Sequence, residues 1–344
     1  MNRRGMTVLI GAVLVVLMTA LMGQAPVPFV QLEPGPTFDT LGKDDRNTDI
    51  IVINGAPTTA SAGQLRFLTV GVVPELTLLD AIRGWINGDD AVVPRELIYP
   101  PDKSQEEIDK RNAEDFANSQ SAAETAALTE LGYPQQIVVQ AVTPGSPADG
   151  VLRPGDVIRA VDGVPATTAE TLLDAIRSKP AGSTLTLQLA RDGQSVTVQV
   201  TTKASDDGVP RVGFTPELKS SAPFTIDIPI EGIGGPSAGL MLALGIIDKI
   251  KPEDLTGGKI IAGTGTIDAA GTVGPIGGVP QKIIGAKNAG ATIFLTPKDN
   301  CAEAVANERP GLLLVRIDTL DMALTALDTL RAGGTPELCP GATA

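Results

Sequence analysis

The sequence, 344 residues long, predicts an α+β protein of two or three domains, and three observations carry that expectation. Short apolar runs set off by many glycines and prolines alternate with stretches of helical periodicity, so strands and helices are mixed along the chain. Aromatic residues make up only 3% against 42% hydrophobic, which points to aliphatic cores joined by tight turns. A long uncharged apolar run stands at the N-terminus, apart from the rest.

In that run, Arg3 and Arg4 precede Met6 to Gly23, interrupted only by Thr7 and Thr19, and the next charges are Glu33 and Asp39. Its length is at the short end for a transmembrane helix, and the basic flank places the N-terminus in the cytoplasm. A cleaved signal peptide is the competing reading, but its best cleavage candidate, Ala25, is followed by Pro26. The expectation is a single-pass cell-membrane protein, with residues 1–27 as cytoplasmic N-terminus and anchor and the remainder extracytoplasmic. The net charge of −13, with no basic patch, argues against nucleic acid as a partner.

Residues 28–131 read as a strand-rich region with a connecting helix. Asp49 to Ile53, Leu65 to Val73 and Leu97 to Tyr99 have strand character, and Leu76 to Ile86 puts Leu76, Leu79, Ile82 and Ile86 on one helical face. Trp85, the one tryptophan, reads as a packing residue. Ser104 to Leu131 is a long helix opened by Ser104 and Glu107 in capping-box spacing, with an intermittent stripe of Ile108, Phe116 and Leu128. Its charged face reads as a solvated spacer, and nothing in the region proposes chemistry.

Residues 132–203 form a clear module. A strand at Ile137 to Val142 leads through Pro144-Gly145-Ser146-Pro147-Ala148 to the Arg153-Pro154-Gly155-Asp156-Val157-Ile158 run, then a helix at Thr168 to Arg177. Leu185 to Leu189 then pairs with Val196 to Val200 across an Asp192-Gly193 hairpin turn. The order resembles a PDZ domain of the bacterial envelope-protease type, which implies a partly open β-barrel with helices. It also implies capture of an extended peptide along a sheet edge, with a carboxylate loop near Leu131, Gly132 and Tyr133. The alternative is a module that packs on its neighbour and orients or gates it. A polar linker, Lys203 to Arg211, follows.

Residues 210–332 read as an α+β domain. Phe224 to Ile230, Lys259 to Ile267, Thr292 to Leu295 and Leu312 to Ile317 are its expected strands, with helices at Leu240 to Ile250, Lys282 to Ala289 and Met322 to Leu330. Its first helix opens at Gly234-Gly235-Pro236-Ser237-Ala238-Gly239, putting Ser237 in a first turn where unpaired N–H groups and the helix dipole favour an oxyanion. A serine needs a base, and the chain contains no histidine, which excludes a Ser-His-Asp triad and every His-ligated metal site. Carboxylates and lysines remain. Lys282 follows an uncharged run, Gly271 to Gln281, and burial without a carboxylate would bring its pKa towards neutrality. The plainer alternative is a capped turn and a solvated lysine.

Gly234 to Gly239 resembles the nucleophile motif of the Lon protease family, and Gly274-Pro275-Ile276-Gly277-Gly278-Val279-Pro280-Gln281-Lys282 resembles its Pro-Ile-Gly-Gly-x-x-x-Lys segment. Gly263-Thr264-Gly265-Thr266-Ile267 is similar to a third family segment, its Thr-Gly-x-Ile strand. The resemblance implies Ser237 as nucleophile, Lys282 as general base, Thr264 as an auxiliary hydroxyl, and the Gly235, Ser237 and Ala238 amides at the oxyanion. It implies protein or peptide substrates and a homo-oligomer, with a hexameric ring as the family precedent. Where ATP-dependent members carry an Asp, this chain has Gly234, which leaves Glu231, Asp227 or no acid as helper. No phosphate-binding loop motif occurs, so the expectation is ATP-independent peptide hydrolysis with no cofactor and no metal. The rivals are an inert PDZ-based envelope scaffold and a Ser/Lys esterase or amidase. In an exported chain Cys301 and Cys339 permit one disulfide tying the tail, residues 333–344, to this domain, the other reading being a nucleophilic Cys301.

Overall fold

The computed structural model describes residues 3–205 and 208–342, with the side chains at 3–5, 8, 9 and 20 outside the described set. The chain divides into two compact units, Met1–Ala127 with Thr225–Ala344, and Leu128–Phe224.

The first unit is built on a mixed six-stranded sheet. Its order is Leu313–Ile317, Ile293–Pro297, Ile260–Gly263, Gln64–Val73, Phe29–Asp39 and Ala91–Pro94. The first four strands run parallel, and the last two are antiparallel to their neighbours. Parallel strands covered on both faces are apolar throughout, and Ile293–Pro297 is buried at all five positions. Helices Gly239–Ile250, Val279–Asn288 and Leu320–Arg331 complete the core, the first of them buried from Gly239 through Asp248.

This arrangement corrects the expected domain boundary. Residues 28–131 are not a separate region, because Gln64–Val73 lies in the middle of the sheet, with Leu65 paired to Ile261 and Phe67 to Gly263. Leu65, Phe67 and Leu68 are each almost fully buried, and a strand covered on both faces needs partners that lie nearly two hundred residues away in the chain. Thr225–Asp227 likewise pairs with Val52–Asn54. The expected strand at Leu97 to Tyr99 is absent, since Arg95–Ile98 is a short helix.

Two predicted helices are present, although Leu76–Thr77 is a strand and Leu79, Ile82 and Ile86 of the first helix's expected face are exposed. Leu78–Ile86 is a helix capped by a Thr77/Asp80 box. Gln105–Glu130, here called the long helix, starts at Ser104, whose N–H and hydroxyl meet the Glu107 carboxylate at 2.8 and 3.0 Å. Arg3–Gly23 forms a helix of 21 residues. Within the span expected over Met6 to Gly23, the side chains at 8, 9 and 20 lie outside the described set. Among the described residues, no helix is long and apolar enough to cross a membrane.

The second unit is an antiparallel sheet ordered Gln194–Thr201, Thr184–Arg191, Val157–Val161, Gln135–Val142 and Phe214–Ser220. Helix Ala169–Arg177, capped through Thr168 and Thr171, covers it with Leu172 and Ile176. These meet Ile137, Val139, Ile158, Leu185 and Leu187 in one core. Asp192 and Gly193 have φ of 51° and 77°, the left-handed pair that a two-residue hairpin of this twist requires. Phe214–Ser220 was expected to fall in the following domain; instead it pairs with Gln135–Val142 from Ser220↔Gln135 to Phe214↔Val142 and closes this sheet. Positions 206 and 207 of the expected linker lie outside the described residues.

Candidate active site

The residues singled out in the first unit converge on one cleft. Gly235, with φ of 84°, turns the chain so that Ser237 stands two residues ahead of helix Gly239–Ile250 rather than inside it. Lys282 is held by helix Val279–Asn288, which opens with Gly278 at φ of 71° and carries Pro280 in its first turn. Thr264 follows strand Ile260–Gly263, whose parallel neighbours fix its end.

The Lys282 Nζ lies 2.7 Å from the Ser237 Oγ and 3.0 Å from the Thr264 Oγ1. The Thr264 hydroxyl donates in turn to the Ser237 carbonyl at 3.1 Å, and the Gly265 N–H reaches the same carbonyl at 3.0 Å. Lys282 is 3% exposed, and burial alone lowers its pKa from 10.5 to about 8. About a tenth of the amine is therefore neutral at pH 7, within hydrogen-bond reach of the serine hydroxyl.

The surrounding cleft, about 800 Å³, includes Phe38, Phe67, Val70, Ile233 and Ile276 in its walls. Strands Phe29–Asp39 and Gln64–Val73 thus supply part of the wall from outside the expected protease segment. Ile276 is fixed by Asn300, whose side-chain oxygen accepts from the Ile276 N–H at 2.8 Å while its amide donates to the Ile276 carbonyl at 2.9 Å. Sequence reading passed over Asn300, which lies outside every motif and gave no signal of its role.

Two expectations at this site need correction. The Gly235 N–H does not face the cleft as a free donor, since it donates to the Asn112 carbonyl of the long helix at 2.9 Å. Glu231, weighed as an acidic helper, borders the cleft but pairs with Arg46 at 2.9 Å with its side chain 80% exposed. Asp227 ends the strand paired to Val52–Asn54 and is exposed. Cys301 and Cys339 form a disulfide, which removes Cys301 as a nucleophile. Among the described residues no cluster of side chains suits a metal ion.

In the second unit the expected carboxylate loop is a helix terminus. Gly132 has φ of 83°, the Tyr133 N–H caps the Leu128 carbonyl at 2.8 Å, and the Tyr133 ring packs edge-on against Phe224 at 5.3 Å. A cavity of about 560 Å³ runs between Leu172, Leu173 and Ile176 of the helix and the segment 209–214 that enters strand Phe214–Ser220. Gly213, at φ of 90° and tight against Ser146, shapes that entry. The signal was the Val212-Gly213-Phe214 triplet ahead of a strand, hidden by reading 203–211 as a linker.

Two family models match the chain: the PDZ domain over residues 108–202, and the Lon protease (S16) C-terminal proteolytic domain over residues 208–326. The chain carries a PDZ domain and a Lon-type proteolytic domain. Lon protease 1 of Sorangium cellulosum (strain So ce56) is 38% identical over 101 residues, 28% of this chain and 12% of that protein. Lon protease 2 of Herpetosiphon aurantiacus is 34% identical over 119 residues, 33% of this chain and 14% of that protein. Lon protease 1 of Bacillus subtilis (strain 168) is 30% identical over 118 residues. The chain thus spans only 12–15% of the length of these curated relatives. The Lon-type match contains Ser237, Thr264 and Lys282, yet strands Phe29–Asp39 and Gln64–Val73 and the long helix's contact at Asn112 come from outside it.

Proposed function

We propose that this chain is an ATP-independent serine endopeptidase working through a Ser237/Lys282 dyad. The observation that carries the reading is the 2.7 Å approach of a buried lysine amine, shifted to about 8, to a serine hydroxyl in a cleft. Neutral Lys282 takes the Ser237 proton as Oγ attacks a peptide carbonyl. The Ser237 and Ala238 N–H groups, at the positive end of helix Gly239–Ile250, stabilise the oxyanion. Lysinium then protonates the leaving amine, and neutral Lys282 activates the water that hydrolyses the acyl-enzyme. Thr264 keeps the amine aimed by accepting from it at 3.0 Å.

The PDZ groove along helix Ala169–Arg177 recruits extended peptide segments of substrates. With no phosphate-binding loop in these residues, substrates are unfolded or loosely folded proteins. Membrane attachment rests on the sequence: the uncharged run Met6 to Gly23 behind Arg3 and Arg4 supports a single-pass anchor with both domains extracytoplasmic. Assembly as a homo-oligomer rests on the Lon likeness alone.

The test is casein cleavage without ATP by wild type and Ser237→Ala. Cleavage by wild type only supports the peptidase. Turnover of small esters with casein left intact would replace it by an esterase, and an inert, folded wild type by a PDZ scaffold.

A further inference from the structure

The long helix Gln105–Glu130 lies against the loop that carries Ser237. One helical face, Asn112, Phe116, Ser119, Gln120 and Ala123, repeats at intervals of three and four, and Phe116, Ser119 and Ala123 are buried. Three hydrogen bonds join this face to the loop. The Gly235 N–H donates to the Asn112 carbonyl at 2.9 Å, the Ser119 hydroxyl to the Pro236 carbonyl at 2.9 Å, and the Gln120 amide to the Ile228 carbonyl at 3.1 Å. A buried helical serine ordinarily satisfies its hydroxyl on the preceding turn of its own helix. Ser119 instead reaches a carbonyl 117 residues away.

The approach is close enough to dictate composition. A Cβ at position 234 would come 2.7 Å from the Asn112 Cβ, and one at 239 would come 2.8 Å from the Ser119 Oγ. Both contacts are shorter than side chains tolerate. Gly234 is therefore a glycine because the helix lies on it, Gly239 because Ser119 on one side and the Ile267 Cγ2, also at 2.8 Å, leave no room, and Gly235 because of its φ. This also accounts for the departure at Gly234 from the Asp of ATP-dependent members: a side chain there would run into Asn112.

The Pro236 carbonyl and the Ser237 N–H belong to one planar trans peptide, in which the two groups point in opposite directions. A hydroxyl that holds the carbonyl towards the long helix turns the N–H away from it. We propose that Ser119 is a positioning residue for acyl transfer, orienting the Pro236–Ser237 peptide so that the Ser237 amide meets the oxyanion while its Oγ stays on Lys282. The proposal rests on the peptidase reading above and extends it to a residue outside the Lon-type match.

The test compares wild type with Ser119→Ala and Gly234→Ala, measuring kcat and KM on a fluorogenic peptide at alkaline pH, together with Tm and crystal structures. Alanine favours helix, so Ser119→Ala folds. A misaimed oxyanion donor lowers kcat by roughly 10- to 100-fold with KM within about threefold, and Gly234→Ala, which pushes the helix off the loop, does the same. A kcat within about twofold of wild type in Ser119→Ala overturns the proposal. A folded wild type with no turnover overturns the peptidase reading instead. The crystal structures then decide: a rotated Pro236–Ser237 peptide in Ser119→Ala supports positioning, and an unmoved one refutes it.

Discussion

The ionisation of Lys282 gives the sharpest prediction, because one group sets both activity and stability. With its pKa at about 8, the amine is ~10% neutral at pH 7, ~50% at pH 8 and ~90% at pH 9, so a mechanism that needs the neutral base gains roughly tenfold in rate across that window. The same burial disfavours the folded state. The folded pKa lies below the unfolded value of 10.5, so the unfolded chain binds the extra proton first as pH falls. Stability is therefore full above the unfolded value and is lost as pH falls towards about 8, below which the deficit is constant. At ~1.4 kcal/mol per pH unit, the drop from 10.5 to about 8 is a penalty on the order of 3 kcal/mol. Lys282→Met should raise Tm at pH 7, lose that gain towards pH 10.5, and be inactive throughout. The assays are kcat/KM on a fluorogenic peptide and thermal unfolding of both proteins, each from about pH 6.5 to 11. A flat rate profile, or a midpoint at the ordinary lysine value, would refute the dyad. A Lys282→Met variant less stable than wild type at pH 7 would refute the burial argument.

Further outcomes follow from other parts of the structure. Ser237→Ala should lower peptide hydrolysis by ~10³-fold or more with Tm nearly unchanged, and Lys282→Arg should be as inactive, because a guanidinium cannot serve as base, and less stable than wild type, because it stays charged at a buried position. Leu173→Glu places a charge in the PDZ groove at a residue 40% exposed; casein cleavage should fall several-fold while short-peptide cleavage holds, and equal effects on both would argue against recruitment. The Cys301–Cys339 disulfide closes a loop of 38 residues, so replacing both cysteines by serine should cost about 4 kcal/mol in denaturant unfolding. Indifference of wild type to reductant would sink that estimate.

Much of the site was legible in the chain. Ser237, Thr264 and Lys282 stand in three short motifs, and the absence of histidine leaves little else to act as base. The capping box at Ser104, the hairpin at Asp192-Gly193 and the helix Ala169–Arg177 are local features, written in neighbouring residues whose backbone preferences do not depend on the rest of the fold. The strand Phe214–Ser220 was assigned to the wrong domain because it lies beyond a polar stretch, and a strand's partner is not encoded in the strand itself.

By itself, the sequence determined the chemistry available: a serine at a helix start, a lysine in an uncharged run, and the glycines around them. Only the tertiary structure decided that Gln64–Val73 is central to the same sheet and that the long helix grips the serine loop through Asn112 and Ser119. It also took away the Gly235 N–H and buried Lys282. The physical reason is the range of the interactions. Turns and caps are satisfied within a few residues, whereas a pKa is set by whatever excludes water from an amine, and a carbonyl's donor comes from any segment that packing brings within 3 Å.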